Sequence, residues 1–201
     1  MKNFIWDLDG TILDSYKIIL KSLEETCLYF DMDFDYTSVK KHILKKSVVS
    51  FLQEKSSEKK VSYSVMKDYF SEMNSYNASS IKLMNGAKEI LNWTRLNDIQ
   101  NYIYTHKSDT AIQILKNLNI DSFFEEVVTS SYGFKRKPDS QALDYLIEKY
   151  NLDKQKTYYI GDRLIDKEVA INAGIKSINL TEKNSYNNTY ISSLSSIERL
   201  F

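Results

Sequence analysis

The 201-residue chain contains one cysteine, one proline and five glycines. The single cysteine, Cys27, allows no internal disulfide and fits a reducing compartment. Lys and Arg together number 27, as do Asp and Glu, so the formal net charge is zero and no basic surface for nucleic acid is expected. No apolar run approaches the ~18 residues of a membrane span, and the N-terminus lacks the pattern of a signal peptide. We therefore expect a cytoplasmic protein without membrane or nucleic-acid partners.

The chain is long enough to bury a core, and its length suggests one domain, or one domain with an insert. Its apolar fraction of 42% lies outside the disordered range. Because glycine is rare, we expect the few glycines to serve backbone needs such as turns, helix ends and close approach. Two of them, Gly10 and Gly161, lie inside acidic motifs.

The order of elements predicts an α/β fold. A short apolar strand, Phe4 to Trp6, is followed by helical periodicity alone up to about residue 80, with a polar loop from Gln53 to Lys60. Strands then alternate with helices. This pattern indicates a doubly wound, Rossmann-like parallel sheet with helices on both faces, formed by residues 1–14 and 81–201. An all-helical unit, residues 15–80, would be inserted after the first strand. The Asn- and Ser-rich segment 183–193 is expected to be a loop, and 194–201 a short closing helix.

Two carboxylates, Asp7 and Asp9, follow the first strand in the sequence Asp7-Leu8-Asp9-Gly10-Thr11. Asp7 is a candidate nucleophile that attacks phosphorus to form an acyl phosphate. Asp9 is then a candidate general acid for the leaving oxygen and base for the attacking water. The structural alternative is an ordinary acidic turn at Asp9-Gly10.

A second acidic site, Gly161-Asp162-Arg163-Leu164-Ile165-Asp166, follows a later strand. Asp162 and Asp166 lie four apart at the start of a predicted helix, where acids also cap the helix and complement its dipole. Together with Asp7 and a carbonyl from the first turn they form an oxygen-rich set suited to Mg²⁺. Ligands of parallel sheets bind where the strands end, and that places these dispersed residues at one site.

Two further segments offer partners for a phosphate group. Lys137, beside the single proline at the expected start of a helix, could neutralise both phosphate and nucleophile. Thr105 ends a strand and could donate its hydroxyl to phosphate, although it could equally cap the next helix. The adjacent His106 is a candidate substrate contact, whereas a lone histidine is more often structural.

These four pieces, in this order, resemble the haloacid dehalogenase superfamily, in particular its phosphoglycolate phosphatase and β-phosphoglucomutase branch. The resemblance covers nearly the whole chain. It implies that Asp7 is the nucleophile, Asp9 the acid/base, and Thr105 and Lys137 the phosphate-contacting residues. It also implies a Mg²⁺ cofactor held by Asp7, the carbonyl of Asp9 and Asp162, with Asp166 in or beside the shell.

The resemblance further implies that the helical insert is a cap over the site. Ile18, Ile19 and Leu20 occupy the hinge region where β-phosphoglucomutases typically carry a histidine, which favours hydrolysis over mutase chemistry. His106 stands where asparagine is frequent, which leaves its phosphate contact open.

The expected function is a Mg²⁺-dependent phosphatase that acts on a small phosphorylated metabolite through an aspartyl-phosphate at Asp7. The alternatives are a phosphosugar mutase, a pyrophosphatase, or a phosphate-binding protein without catalysis. The sequence does not identify the metabolite, and it does not decide between a monomer and a homodimer.

Overall fold

The computed structural model describes all 201 residues and divides into two compact units. One consists of Met1–Asp14 and Lys82–Phe201, and the other of Ser15–Ile81. No helix in either unit combines the length and the apolar character needed to cross a membrane.

The first unit contains the sheet. Its strands are β1 (Asn3–Trp6), β2 (Leu13–Asp14), β3 (Lys82–Leu83), β4 (Gln100–Tyr104), β5 (Glu126–Val128), β6 (Thr157–Gly161), β7 (Lys176–Asn179) and β8 (Asn188–Tyr190). Its α-helices are α5 (Ala87–Leu96), α6 (Thr110–Asn117), α7 (Gln141–Lys149) and α8 (Leu164–Asn172). The main sheet has the order β5-β4-β1-β6-β7-β8 with every pair parallel, while β2 and β3 form a small antiparallel pair.

Helices cover both faces of this sheet. Side chains alternate along a strand, so Ile5 and Trp6 of β1 point to opposite faces. Ile5 belongs to the core cluster that contains α7 and α8 residues such as Leu143 and Val169. On the other face, the Trp6 indole donates to Asn101 at 2.8 Å, and Asn101 in turn donates to Thr94 of α5 at 2.7 Å. The doubly wound α/β prediction is confirmed.

The second unit consists of four α-helices, α1 (Tyr16–Tyr29), α2 (Tyr36–Lys45), α3 (Val48–Lys59) and α4 (Tyr63–Asn77), followed by a 3₁₀ turn at Ala78–Ser80. Its apolar core includes Leu20, Leu23 and Met66. Cys27 is buried in the same cluster, as expected for a packing residue. The last residue of α4, Asn77, accepts a hydrogen bond from Lys21 and donates to Ser22, which ties the end of α4 to α1.

Three local predictions were wrong. The segment Gln53–Lys60 is not a loop, since all of it except the C-cap Lys60 is the second half of α3, a helix capped by Ser47 whose polar side chains here are mostly exposed. The segment 183–193 contains the edge strand β8, which pairs with β7. Pro138 does not open a helix, since α7 begins three residues later at Gln141. By contrast, the short closing helix predicted for 194–201 is present, as a 3₁₀ helix over Leu194–Leu200.

Six helices are followed by a residue with a left-handed backbone conformation (positive φ), although glycine is scarce. In each, the next residue's N–H donates back to a carbonyl five positions earlier, as Met32 does to Cys27 at 2.8 Å. This is the Schellman arrangement, and glycine is its usual left-handed residue. Here only α8 ends on glycine; the left-handed residues are Asp31, Lys60, Asp98, Asn119, Asn151 and Gly174.

The buried chain Trp6–Asn101–Thr94 yields a stability prediction. Replacing Asn101 by Leu leaves the buried Trp6 N–H without an acceptor, which costs about 1–3 kcal/mol. We expect a loss of this size in the free energy of unfolding, measured with urea. The control Asn117→Leu, at an exposed position of α6, should change stability by no more than about 0.5 kcal/mol. Equal losses in the two variants would contradict the role of the buried hydrogen bond.

Candidate active site

Three strands bring polar residues together at the edge of the sheet where the parallel strands have their carboxyl ends. Asp7 follows β1, Thr105 follows β4, and Asp162 follows β6. Since β1 lies between β4 and β6 with Trp6 opposite Ile103 and Ile160, these residues are neighbours in space. The Asp7 N–H donates to the Ile160 carbonyl at 2.8 Å, so the sheet fixes the backbone of Asp7 as well.

Lys137 joins this edge from the loop before α7. Its ammonium donates to Asp7 Oδ1 at 2.5 Å and to Asp166 Oδ1 at 2.8 Å. The three side chains are 2%, 10% and 1% exposed, respectively. Lys137 is thus a buried cation held between two buried carboxylates.

Burial raises the pKa of the Asp7 carboxyl well above its usual value. Lys137 opposes this shift in the pKa of Asp7, while Asp166 and Asp162 add to it by like-charge repulsion. Asp7 must be ionised to act as a nucleophile. A further cation at this edge would therefore favour the reactive form.

The three carboxylates fit a divalent metal ion. Each of Asp7, Asp162 and Asp166 offers an oxygen, and these atoms lie within 4.8 Å of one another. Lys137 bonds two of these carboxylates, Asp7 and Asp166, and so neutralises part of their negative charge. Hard oxygen ligands with this charge suit Mg²⁺.

Asp166 has a structural role as well. Its Oδ2 accepts a hydrogen bond from the Arg163 N–H at 3.0 Å, which caps the start of α8. Its other oxygen accepts from Lys137. Because both oxygens have protein donors, Asp166 is better placed to support Lys137 than to be a primary metal ligand.

Gly161 explains how Asp166 reaches Lys137. A Cβ placed on Gly161 would overlap the Asp166 side chain. The glycine is therefore required by close approach, as the acidic motif suggested, and its backbone angle is not the reason.

Asp9 lies outside the carboxylate cluster and pairs with Lys107. The Lys107 ammonium is 3.0 Å from Asp9 Oδ1, and the two side chains are 5% and 23% exposed. Lys107 is not among the site residues predicted from the sequence. Its position two residues after the strand-end Thr105 is the one signal that could have indicated it.

Thr105 is positioned to donate a hydrogen bond to a ligand. Its hydroxyl oxygen accepts from the Lys107 N–H at 3.1 Å, so its own O–H can point toward a ligand. The alternative that Thr105 caps the next helix does not hold, because α6 begins at Thr110 and its N-cap residue is Asp109.

His106 contacts the Lys137 segment. The Lys137 N–H donates to Nε2 at 2.9 Å, and the Arg136 guanidinium lies 2.9 Å from Nδ1. Burial, with the nearby cations Lys137, Arg136 and Arg163, lowers the pKa of His106 to about 2. The ring is therefore neutral, and a neutral imidazole has one acceptor nitrogen, which can serve either the Lys137 N–H or the Arg136 guanidinium.

Thr11 is a second residue at the site that was not predicted from the sequence. It is fully buried, and its hydroxyl lies 3.5 Å from Asp162 Oδ1. This contact spans 151 positions of the sequence, which is why spacing along the chain could not reveal it.

Comparison with known proteins shows the class of protein that this fold and site define. The family model of the haloacid dehalogenase-like hydrolases matches residues 4–180. The chain belongs to this family, and the resemblance inferred from its motifs is confirmed.

Individual relatives carry the names of phosphatases, a pyrophosphatase and a hydrolase. The chain is 25% identical over 171 residues to pyrophosphatase PpaX of Listeria monocytogenes, an alignment that covers 84% of this chain and 78% of the relative. It is 25% identical over 97 residues to a phosphoglycolate phosphatase of Pseudomonas putida, covering 48% of this chain and 36% of the relative. Among solved structures, a hydrolase from Streptococcus pneumoniae is similar with a TM-score of 0.65 and 28% identity, covering 100% of this chain and 98% of that one.

The close approach at Gly161 makes a prediction about the site. In Gly161→Ala the new methyl group displaces Asp166, and overpacking of this kind costs about 1–3 kcal/mol. We expect this loss of stability together with weaker Mg²⁺ binding by calorimetry. The control Gly133→Ala introduces strain at a φ of +75° but has no atom within 4 Å of the added Cβ. It should cost about 1 kcal/mol through the backbone alone and leave Mg²⁺ binding unchanged. Unaltered metal binding in Gly161→Ala would contradict the packing argument.

Proposed function

We propose that this protein is a Mg²⁺-dependent phosphatase that hydrolyses a small phosphorylated metabolite through an aspartyl-phosphate on Asp7. The observation that carries the proposal is the buried Lys137 ammonium bonded to both Asp7 and Asp166. A buried charge group of this kind contributes little to stability, so a chemical role accounts for it better.

The proposed reaction has two displacements. A carboxylate oxygen of Asp7 attacks phosphorus, and the bond to the leaving oxygen breaks as Asp9 gives that oxygen a proton. Water then attacks the acyl phosphate while Asp9 takes its proton, which releases phosphate and restores Asp7. Lys107 holds the Asp9 carboxylate between these steps.

Two further side chains would bind the phosphate oxygens. Lys137 offers a positive charge that neutralises the phosphate and orients Asp7. Thr105 donates its hydroxyl. His106, whose Nε2 already accepts from the Lys137 backbone, would act on the segment that carries Lys137 and not directly on phosphate.

Mg²⁺ would be held by Asp7, Asp162 and the carbonyl of Asp9, with Asp166 beside it. When bound, the ion would screen the charge of the phosphate from the attacking carboxylate. Thr11 orients Asp162 for this role. We also propose that the helical unit, residues 15–81, serves as the cap that the family resemblance implies.

The reaction class is tested by release of phosphate from an aryl phosphate. We expect release that requires Mg²⁺, stops with EDTA and falls at least about 1,000-fold in Asp7→Asn, because the nucleophile is lost. The control Asp121→Asn, at an exposed position, should retain full activity. Trapping with BeF₃⁻ reports an acyl-phosphate mimic independently of the substrate. Full activity in Asp7→Asn, or absence of both activity and BeF₃⁻ binding in the parent protein, would overturn the proposal.

Pyrophosphate belongs in the first substrate panel, because the PpaX relatives align over 84% of this chain. Faster release from pyrophosphate than from any monoester would make pyrophosphatase the better assignment. A mutase would instead convert a phosphosugar without releasing phosphate.

The metal assignment is tested by Mg²⁺ titration of the activity. Asp162→Asn removes a charged ligand and should raise the Mg²⁺ concentration for half-maximal activity at least about tenfold. Thr11→Val removes only the hydroxyl that orients Asp162, so it should raise this Mg²⁺ concentration by less than Asp162→Asn does, because the ligand itself is retained. An unchanged titration in Asp162→Asn would remove this residue from the metal site.

A further inference from the structure

The Lys137 ammonium lies over two aromatic rings in addition to its two carboxylates. It is 5.1 Å from the ring centroid of Tyr104 and 5.0 Å from that of Tyr159. Both tyrosines are buried, with exposed fractions of 3% and 0%. Packing of buried tyrosines in the core does not by itself require two rings beside one buried cation.

The strands explain how the two rings reach the same ammonium. Tyr104 is the last residue of β4, and Tyr159 is in β6 opposite Ile5 of β1. These strands flank β1, which ends just before Asp7. Tyr104 and Tyr159 belong to the same core cluster as Ile5, so they lie on one face of the sheet, on either side of the strand that carries Asp7.

The hydroxyl groups of the two tyrosines point to main-chain carbonyls. Tyr159 donates to the carbonyl of Tyr104 at 3.0 Å, and Tyr104 donates to the carbonyl of Lys135 at 3.1 Å. The first bond ties the Tyr159 ring to the main chain of β4, and the second fixes the segment that leads to Lys137. The negative ring faces are left to the ammonium, the geometry in which a cation and an aromatic ring attract.

We propose that Tyr104 and Tyr159 are positioning residues that hold the Lys137 ammonium at Asp7, so that Lys137 is in place before substrate binds. Lysine has a flexible four-carbon stem and a point charge with no preferred direction. Its carboxylate partners fix the end of the side chain, and the rings restrict it from the side. For its catalytic consequence this inference rests on the proposed phosphatase activity.

The catalytic test compares ring removal with hydroxyl removal at each tyrosine. Tyr104→Leu and Tyr159→Leu remove the ring and should lower kcat by about 5- to 30-fold each, the size expected for a desolvated cation–ring contact. KM should change little, since Lys137 acts on the reacting group. Tyr159→Phe keeps the ring and should retain kcat within about threefold, and Tyr104→Phe should recover most of the loss seen in Tyr104→Leu.

Tyr102→Leu is the matched control for core damage. Tyr102 lies on β4 two residues before Tyr104, is fully buried in the same cluster, and packs its ring on Tyr150. Its loss should lower the melting temperature as much as the other Leu variants while leaving kcat nearly unchanged. If Tyr102→Leu lowers kcat as much as Tyr159→Leu, or if the Phe variants fall as far as the Leu variants, the proposal is overturned.

A second measurement does not depend on turnover. Each variant is treated with acetic anhydride, and the acetylation rate of Lys137 is followed by peptide mass spectrometry against the exposed Lys135. We expect Lys137 to react faster in Tyr104→Leu and Tyr159→Leu, but not in Tyr102→Leu or the Phe variants. A parent protein with neither phosphatase activity nor BeF₃⁻ binding would overturn the proposed function, whereas equal Lys137 reactivity in all variants would overturn the positioning role alone.

Discussion

The buried ammonium of Lys137 between Asp7 and Asp166 is the interaction on which the site depends. Removing one partner of such a group leaves an uncompensated buried charge, while an apolar replacement of the whole group is often neutral or stabilising. The surrounding structure serves this one arrangement: the parallel sheet places Asp7, the cap of α8 places Asp166, and Gly161 leaves room for it. Stability alone would not select it.

The α/β fold could be predicted because strands and helices leave different hydrophobic patterns in this sequence. Buried parallel strands such as Tyr102–Tyr104 are continuous apolar runs, and the helices that follow them carry one apolar face. The same logic placed Asp7, Thr105 and Asp162 together, since parallel strands end at one edge of the sheet. The same motifs indicated the family, and the family model confirms this class of enzyme.

What the sequence could not predict depends on contacts between distant residues. The second half of α3 is polar because that part of the helix faces water, and a polar run looks the same in a loop. The edge strand Asn188–Tyr190 pairs through its backbone and has no apolar alternation to reveal it. The pairing of Lys107 with Asp9 depends on the fold, and the rings of Tyr104 and Tyr159 meet only because β4 and β6 flank β1.

The left-handed helix ends show how this chain tolerates its shortage of glycine. In five of the six Schellman ends a residue with a Cβ adopts a backbone conformation that costs roughly 1 kcal/mol relative to glycine. The apolar residue that follows is buried in most of them, as Met32, Ile99 and Ile120 are, and anchors each end to the core. Four of these five residues are Asp or Asn, which adopt this conformation more readily than other residues with a Cβ, so Lys60 bears the largest strain. The fold could therefore gain stability, because glycine at these positions would relax the helix ends without changing the core or the candidate active site.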